Sequence, residues 1–526
     1  MAGIIAIEIL FYNRGRSIIP IFAKIFALSL NIRAGIWYNF PTFSGSDVYW
    51  HAAICDLIAR NGYIPSFELS RIYYYAPLSH IYISMIQILC NENTKDSIFI
   101  LALIISILII FVYLIGRDIS CPRVGLLAAL ILCLINSVIQ YAFVNYTPSV
   151  LVFCYFLVII YLLFKIVEFE QFSIQNILLL IVLSIAIILT HPMSSFVILI
   201  SLFSMYIVQL IWVFGEYSNK IRFLSNYLLL FIIMLISHWF YSFITNNCSF
   251  FEFVFRPLIT DFFGAKQYDY MEILRGVTSG DSFLTTIISS LPYTVPVFFA
   301  IGGVLLWFAS RDRKKLQMIA PIVILYAIVF GTPMIGMRNL VTDRWLPFLS
   351  VFLCVVIAAY ILGIADIPHS RISKVFAISI IVTSFCFVMI ITPAINKDNP
   401  IIDNYATVRD QFTDAEVAGM DALTSIAAGP IKSDLAYFLL ERSKLYTNQT
   451  YIGMSLDYVS SIEFSDKSNT LIAIRKCGMI EPLAFDTGKL GILERQYLPD
   501  HFLDRFNRPQ YDLIYSNEAV LEYLAK

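Results

Sequence analysis

Long runs of apolar residues dominate this chain, and no charge interrupts them. Ile98–Ile115, Val124–Leu163, Phe172–Phe214 and Val375–Asn396 contain no Asp, Glu, Lys or Arg. A helix needs about 20 apolar residues to cross a hydrocarbon layer roughly 30 Å thick, so blocks of this length predict membrane spans. Helices are the expected form, because each backbone amide then finds its acceptor within its own segment. The period-two alternation of a membrane barrel is absent. The pattern places about eleven spans, at Ser17–Tyr38, Ile98–Ile115, Val124–Tyr141, Val150–Lys165, Ile174–Thr190, Ser194–Phe214, Leu224–Ile244, Leu284–Ala309, Leu316–Ile335, Trp345–Gly363 and Ile372–Pro393.

Two connections are long. The first, Asn39–Ser97, includes the apolar stretch Ala76–Cys90, which Ser79, His80, Ser84 and Gln87 interrupt. It is too short and too polar to span, and reads as a helix at the membrane interface with Tyr73, Tyr74 and Tyr75 at headgroup depth. The second runs from Thr245 to Phe283 and carries Arg256, Asp261, Lys266, Asp269 and Arg275. Connections this long are uncommon unless they are functional.

Beyond Pro393 the pattern changes. Gly429–Ser433, Thr470–Ile474 and Tyr511–Tyr515 read as short strands, and Asp414–Ser425 and Leu435–Glu441 as amphipathic helices. Their alternation predicts a small α/β domain over residues 394–526, following a multi-span membrane domain over residues 1–393.

Composition agrees with a membrane protein. Of 526 residues, 59% are hydrophobic and 14% charged, with a mean hydropathy of +0.77. A soluble domain carries roughly a quarter charged residues. The net charge of −1 and the lack of a basic cluster give no reason to expect a nucleic-acid partner. Four of the nine cysteines, Cys133, Cys154, Cys354 and Cys386, lie in apolar blocks, where a thiol behaves as a small hydrophobe. No pair has metal-ligand spacing, so neither a disulfide framework nor a zinc site is expected. The first apolar run follows Arg14 and Arg16 with no small-residue cleavage site after it, and reads as a retained span.

Charge also predicts orientation. Arg14 and Arg16, Arg117 and Arg123, Lys165, Lys220 and Arg222, Arg311 to Lys315, and Arg371 with Lys374 all fall on one side, while Ile139–Pro148 and His191–Pro192 hold no Lys or Arg. Lys and Arg stay cytoplasmic in short loops. This expects a multi-pass plasma-membrane protein with a cytoplasmic N-terminus and an extracytoplasmic C-terminal domain. That domain holds 13 Lys/Arg against 19 Asp/Glu, and the membrane part 23 against 18. Outside the cell, Asn448-Gln-Thr450 would be an accessible glycosylation sequon.

The expected outer face gathers the candidate chemistry. In Gly45-Ser-Asp47-Val-Tyr-Trp-His51, Asp47 and His51 stand four apart and share a face if the segment is helical. They fit a base with its orienting partner, two metal ligands, or a helix cap in which Asp47 accepts first-turn amides. His191, in Thr190-His-Pro192, is either a site residue or a structural residue at a span end. Arg338, Asp343 and Arg344 lie between two late spans, where arginines snorkel to headgroups or clamp a phosphate with their fork of donors. His238 lies mid-span and reads as a hydrogen-bonded packing residue, and Asn145-Tyr-Thr147-Pro148 as a loop before a span.

The order of these features resembles the first large loop of the GT-C superfamily of membrane glycosyltransferases, which includes protein mannosyltransferases and aminoarabinose transferases. An Asp follows the first span, with a His four residues on. Asn61-Gly62-Tyr-Ile-Pro65, a Tyr-rich segment, Ala76-Pro77-Leu78 and an apolar interfacial helix come next. Arg117, Arg123 and Gly125-Leu-Leu-Ala-Ala-Leu130 resemble the family's first cytoplasmic turn and the helix after it. The resemblance covers roughly the first 200 residues and the general plan. It implies a GT-C-like helical membrane fold and a donor sugar on a polyprenyl or dolichyl phosphate. The acceptor it implies is a glycan, lipid or protein at the bilayer surface. It also implies Asp47 as the catalytic residue, with His51 as the next candidate, and Arg338 and Arg344 as the basic residues that hold the lipid phosphate; His80 and His191 stand beside them as further candidate substrate-binding residues. The loop Gln140–Pro148 lacks the second carboxylate the family often has, which favours a single base and leaves a divalent metal optional. A transporter or flippase for a lipid-linked glycan is the alternative. It predicts ionisable residues along a pathway and internal repeats, whereas only Lys24, Arg33 and His238 lie in or near spans and no repeat is evident.

Overall fold

The computed structural model describes residues 1–526 except 14, 16, 44–45, 145, 170–172, 213–218, 246–247, 264–282, 335–341, 368–369, 393–410, 427–429, 435–436, 438–439, 441–450, 454–469, 480–482, 487–492, 497, 500–501 and 526. Arg14, Arg16, Lys266, Asp269, Arg275, Arg338, Asn448 and most of the helix expected at Leu435–Glu441 therefore lie outside the described residues. The chain divides into two compact units. One comprises Met1–Ala34, Leu57–Thr278 and Ser290–Ile390, and the other Gly35–Asp56, Ser279–Ser289 and Ile391–Lys526.

The helices in chain order are α1 (Ala2–Leu10), α2 (Ile19–Trp37), α3 (Ser46–Asn61), α4 (Phe67–Ser70), α5 (Leu78–Cys90), α6 (Thr94–Ile119), α7 (Pro122–Leu134), α8 (Asn136–Ile139) and α9 (Ser149–Phe169). They continue with α10 (Ile174–Ile188), α11 (Pro192–Trp212), α12 (Asn219–Tyr241), α13 (Phe250–Phe263), α14 (Phe283–Ala309), α15 (Arg313–Met334), α16 (Leu346–Asp366), α17 (Arg371–Ile391) and α18 (Asp414–Ile426). Each of the eleven expected spans has a helix. Among the described residues nine helices are long and apolar enough to cross a membrane, and α7 and α10 are shorter, at 13 and 15 residues. The stretch read as an interfacial helix is α5, also of 13 residues. The N-terminal helix α1 was not expected.

Packing in the membrane unit centres on α7 and α16, which are in contact and buried on nearly every side. Helices α14 and α17 keep apolar faces exposed, as lipid-facing helices do. The turn between α6 and α7 is tight, because a side chain at Gly125 would run into the backbone of Tyr113 and Arg117. At this end of the bundle Asp118 pairs with Arg117 at 2.7 Å and Lys165 at 3.2 Å, and Asp366 with Arg123 at 3.3 Å and Lys374 at 3.4 Å. These are basic residues that the charge pattern assigned to one side.

The second unit holds a mixed sheet. Its strands, after the short pair β1 (Phe243–Thr245) and β2 (Cys248–Ser249) of the membrane unit, are β3 (Ile431–Ser433), β4 (Tyr451–Gly453), β5 (Leu471–Arg475), β6 (Leu483–Asp486), β7 (Leu493–Gln496), β8 (Tyr511–Ser516) and β9 (Val520–Ala525). The order is β4-β3-β5-β9-β8. Strand β3 runs parallel to β4 and β5, and β9 runs antiparallel to β5 and β8. Strands β6 and β7 form a separate antiparallel pair. Alternation along β5 and β9 sends Ile472, Ile474, Leu521 and Tyr523 to one core, with Phe502 and Phe506. Leu471, Ala473 and Val520 go to the other core, under α18.

Helix α18 starts with a capping box. The Glu416 amide donates to Thr413 Oγ1 at 3.3 Å, and the Thr413 amide donates to Glu416 Oε2 at 2.9 Å. Nearby, the fully buried Arg475 donates to both oxygens of Asp434, at 2.9 and 2.6 Å, and its guanidinium lies 5.2 Å from the Phe412 ring centroid. Glu522 is on the same side of β9 as Val520. It is fully buried, and among the described residues neither carboxylate oxygen has a hydrogen-bond partner.

Burial pushes the Glu522 carboxyl up to about 7, because the charged form loses its hydration. The folded state therefore keeps this proton where the unfolded chain, with an ordinary carboxyl near 4.5, has lost it. The stability that Glu522 contributes is complete below the unfolded value and is lost as pH rises towards 7. We expect hydrogen-exchange protection of β5 and β9, corrected for the intrinsic rate, to fall across that window in the full-length protein. It should stay flat in Glu522→Gln, and equal slopes in the two proteins would show that another group titrates.

Candidate functional site

In the membrane unit the candidate site is built where helices end. Pro192 opens α11, its missing N–H suited to the first helical position, and His191 precedes it as the cap. The backbone N–H of Ser194 donates to His191 Nδ1 at 3.1 Å, and the Ser194 hydroxyl lies 2.8 Å from the same nitrogen. An amide can only donate, so Nδ1 is an acceptor and the proton of the neutral ring is on Nε2. Burial, the positive charge of Arg344 and the neighbouring His80 push the His191 imidazolium down to about 3. At physiological pH His191 is thus a neutral ring that offers an Nε2–H donor. It is a poor base.

Three other segments meet this corner. The Leu78 amide donates to the Leu189 carbonyl at 3.1 Å, and Ser79 Oγ lies 2.9 Å from the Tyr146 hydroxyl, so α5 is fixed beside the end of α10. His80 is fully buried, and that burial holds its imidazolium down at about 3. Tyr73 joins the two histidines. Its ring lies edge-on to His80 at 5.1 Å and stacks on His191 at 6.1 Å with planes 30° apart. Arg344 comes from the 3-10 turn Thr342–Trp345 before α16, where Trp345 is buried and packs on Phe196 of α11 at 6.1 Å. Arg344 is half-buried and acts electrostatically on His191. A guanidinium beside an imidazole N–H donor suits an oxyanion such as phosphate.

The tyrosine-rich segment is held from the other side by His238, whose Nε2 donates to the Tyr75 carbonyl at 3.1 Å. The Tyr75 ring meets Tyr241 at 5.9 Å and Phe243 at 6.3 Å. His238 is thus the packing residue the sequence indicated.

The structure brings His80, His191 and Arg344 together. Arg338 lies outside the described residues. Asp47 and His51 are on α3, in the part of the chain grouped with the second unit. Asp47 is in the first turn of α3, half-buried, and His51 is 2% exposed with the Trp50 ring 5.2 Å away. Among the described residues no three His, Cys, Asp or Glu side chains are grouped so as to hold a metal ion. The sequence pattern placed Tyr73 only at headgroup depth, and it did not single out Ser194. The signal for Ser194 was present, since a serine two residues after His-Pro falls at the third helical position, where a cap is read.

No family model matches the chain, and no curated protein matches it in sequence. Solved structures do match. The oligosaccharyltransferase of Archaeoglobus fulgidus in its apo form superposes with a TM-score of 0.60 at 8% identity, over 94% of this chain and 80% of the other. The same enzyme in complex with Zn and sulfate gives 0.60 at 10% identity, over 94% and 79%. ArnT from Cupriavidus metallidurans bound to undecaprenyl phosphate gives 0.49 at 9% identity, over 96% of each chain. The chain shares the fold of the oligosaccharyltransferase, a helical membrane fold as the order of features in the sequence implied.

Tyr73 shields both imidazoles, which makes the site testable. Diethyl pyrocarbonate at neutral pH should modify His80 and His191 slowly in the wild type, followed by mass spectrometry of the peptides. In Tyr73→Ala both should react faster, by about tenfold or more, as their burial is relieved and their basicity recovers by a unit or more. Unchanged reactivity would show that Tyr73 does not close this corner.

Proposed function

We propose that the protein transfers a glycosyl group from a polyprenyl-phosphate-linked sugar to an acceptor at the outer face of the plasma membrane. The acceptor is a glycan, a lipid or a protein. The observation that carries this reading is the convergence of Arg344, His191, His80 and Tyr73 at the ends of membrane helices, in a fold shared with an oligosaccharyltransferase. A lipid donor needs its phosphate held at the boundary while its tail stays in the bilayer. Arg344 supplies the fixed positive charge and His191 the neutral N–H donor. Such groups stabilise the charge that develops on the leaving phosphate, without reorganising as the sugar–oxygen bond breaks. Asp47 takes the proton of the attacking acceptor oxygen, and His51, one turn along α3, supports it.

The transport reading finds less support. Lys24 pairs with Glu8, Arg33 bonds to Ser29 at 2.6 Å, and His238 is bound to Tyr75. Each is tied into local packing, whereas a pathway needs a succession of such groups.

Two measurements test the proposal. Asp47→Asn keeps size and capping ability but removes the carboxylate, so turnover should fall by ~10²–10⁴ in a folded protein. Near-normal turnover would make Asp47 a helix cap and remove it from the mechanism. For the phosphate, a polyprenyl-phosphate sugar is titrated against wild type, Arg344→Lys and Arg344→Gln. Losing charge-assisted hydrogen bonds worth ~1.5–3 kcal/mol should weaken binding about 10- to 200-fold for Gln and less for Lys. Equal affinity in all three would reduce Arg344 to an anchor in the headgroup region.

A further inference from the structure

The segment Gly35–Asp56 lies more than 370 residues before the C-terminal sheet, which begins at Ile431, yet it forms one compact unit with Ile391–Lys526. The contacts are specific. Thr42 Oγ1 donates to the Phe412 carbonyl at 3.3 Å, and the Phe412 amide donates back to Thr42 Oγ1 at 3.0 Å. Tyr49 of α3 is 1% exposed and belongs to the same buried core as Phe412, Met420, Leu423 and Tyr437. Its ring lies 5.9 Å from Phe412 and 5.4 Å from Phe43, nearly edge-on to both, and its hydroxyl donates to the Phe43 carbonyl at 3.1 Å. Phe412 is itself fixed, since the Arg475 guanidinium lies over its ring and Asp434 holds Arg475 through two hydrogen bonds.

Helix geometry turns this anchorage into a statement about Asp47. Residues two apart on a helix point to nearly opposite sides, about 200° around the axis, and residues four apart share a face. With Tyr49 sunk in the domain core, Asp47 and His51 both face the other way. We infer that the C-terminal domain is the seat of the Asp47 helix, with Tyr49 and Thr42 as positioning residues for the proposed base. The domain thereby acts in the reaction even where it does not touch the acceptor.

The inference rests on the role proposed for Asp47, and the test separates the two. Turnover and donor affinity are measured on full-length Tyr49→Ala, Tyr49→Phe, Thr42→Val and Asp47→Asn. A misplacement of about 1 Å costs on the order of 10²-fold in rate. Tyr49→Ala should therefore lose kcat by roughly 10- to 100-fold with donor affinity unchanged, and Tyr49→Phe, which keeps the ring in the core, should recover most of it. Thr42→Val removes only the hydrogen-bonded bridge, and it tests the same prediction if Tyr49→Ala does not fold. Wild-type kcat in both Tyr49→Ala and Thr42→Val, alongside an inactive Asp47→Asn, would overturn the positioning role and leave the proposed function standing. Full activity in Asp47→Asn would overturn the base, and the positioning role with it.

Discussion

Inside a hydrocarbon layer every backbone amide and carbonyl must be paired, and each unpaired group costs several kcal/mol. That constraint makes this chain a set of regular helices, and it decides where irregular backbone can go. Among the stretches whose geometry departs from plain helix, three lie at helix ends: the turn at Arg71–Tyr74, the junction of α10 and α11, and the turn Thr342–Trp345. Those are the segments that supply Tyr73, His191 and Arg344. The candidate site is where polar backbone has to be accommodated anyway.

One hydrogen bond shows how a structural requirement and a chemical one coincide. The Ser194 amide is among the donors a helix N-terminus leaves without an intrahelical acceptor. His191 Nδ1 accepts it, which caps α11 and fixes the tautomer together. A lone interfacial histidine invites either a structural or a functional reading, and in His191 one contact both caps the helix and sets the tautomer that the proposed role needs. The cap occupies Nδ1 and leaves Nε2–H as the only donor. Burial and Arg344 keep the ring neutral. Tyr73 then holds the ring in place from its face.

Much of the membrane fold was legible because its signal is local. The charge-free run Ile98–Ile115 lies inside α6, the run that starts at Val375 makes up most of α17, and Asp414–Ser425 nearly coincides with α18, whose Thr413-x-x-Glu416 box is a sequence-level start signal. Where the reading differed, the cause is physical. The run Val124–Tyr141 is broken into α7, α8 and a π-helical turn at Gln140–Val144, because burial inside the bundle lets backbone depart from ideal α geometry. Strand β9 passed unseen because Glu522 breaks its apolar pattern, and only tertiary burial makes that position a core residue. In the site, His191 and Arg344 could be picked by type and position, but their proximity depends on Trp345 packing against Phe196, a contact between helices far apart in the chain.

The part of α3 that carries Asp47 was the least legible element of all, and loop closure explains why it is still well determined. A contact such as Thr42 to Phe412 joins residues 370 positions apart. In a free chain, closing a loop of that length costs ~5 kcal/mol in the logarithmic term alone, more than two hydrogen bonds and one aromatic contact return. No local pattern can announce such a pairing, since Tyr49 reads like any other aromatic in a Tyr-rich chain. The cost falls once the intervening helices have packed through contacts of their own, because the ends of α2 and α17 are then no longer free to wander. Shared burial of Tyr49, Phe412, Met420 and Tyr437 needs only to fix the last few residues on each side. The order of events implied is bundle first and domain second, with the Asp47 helix set in place as the domain core closes.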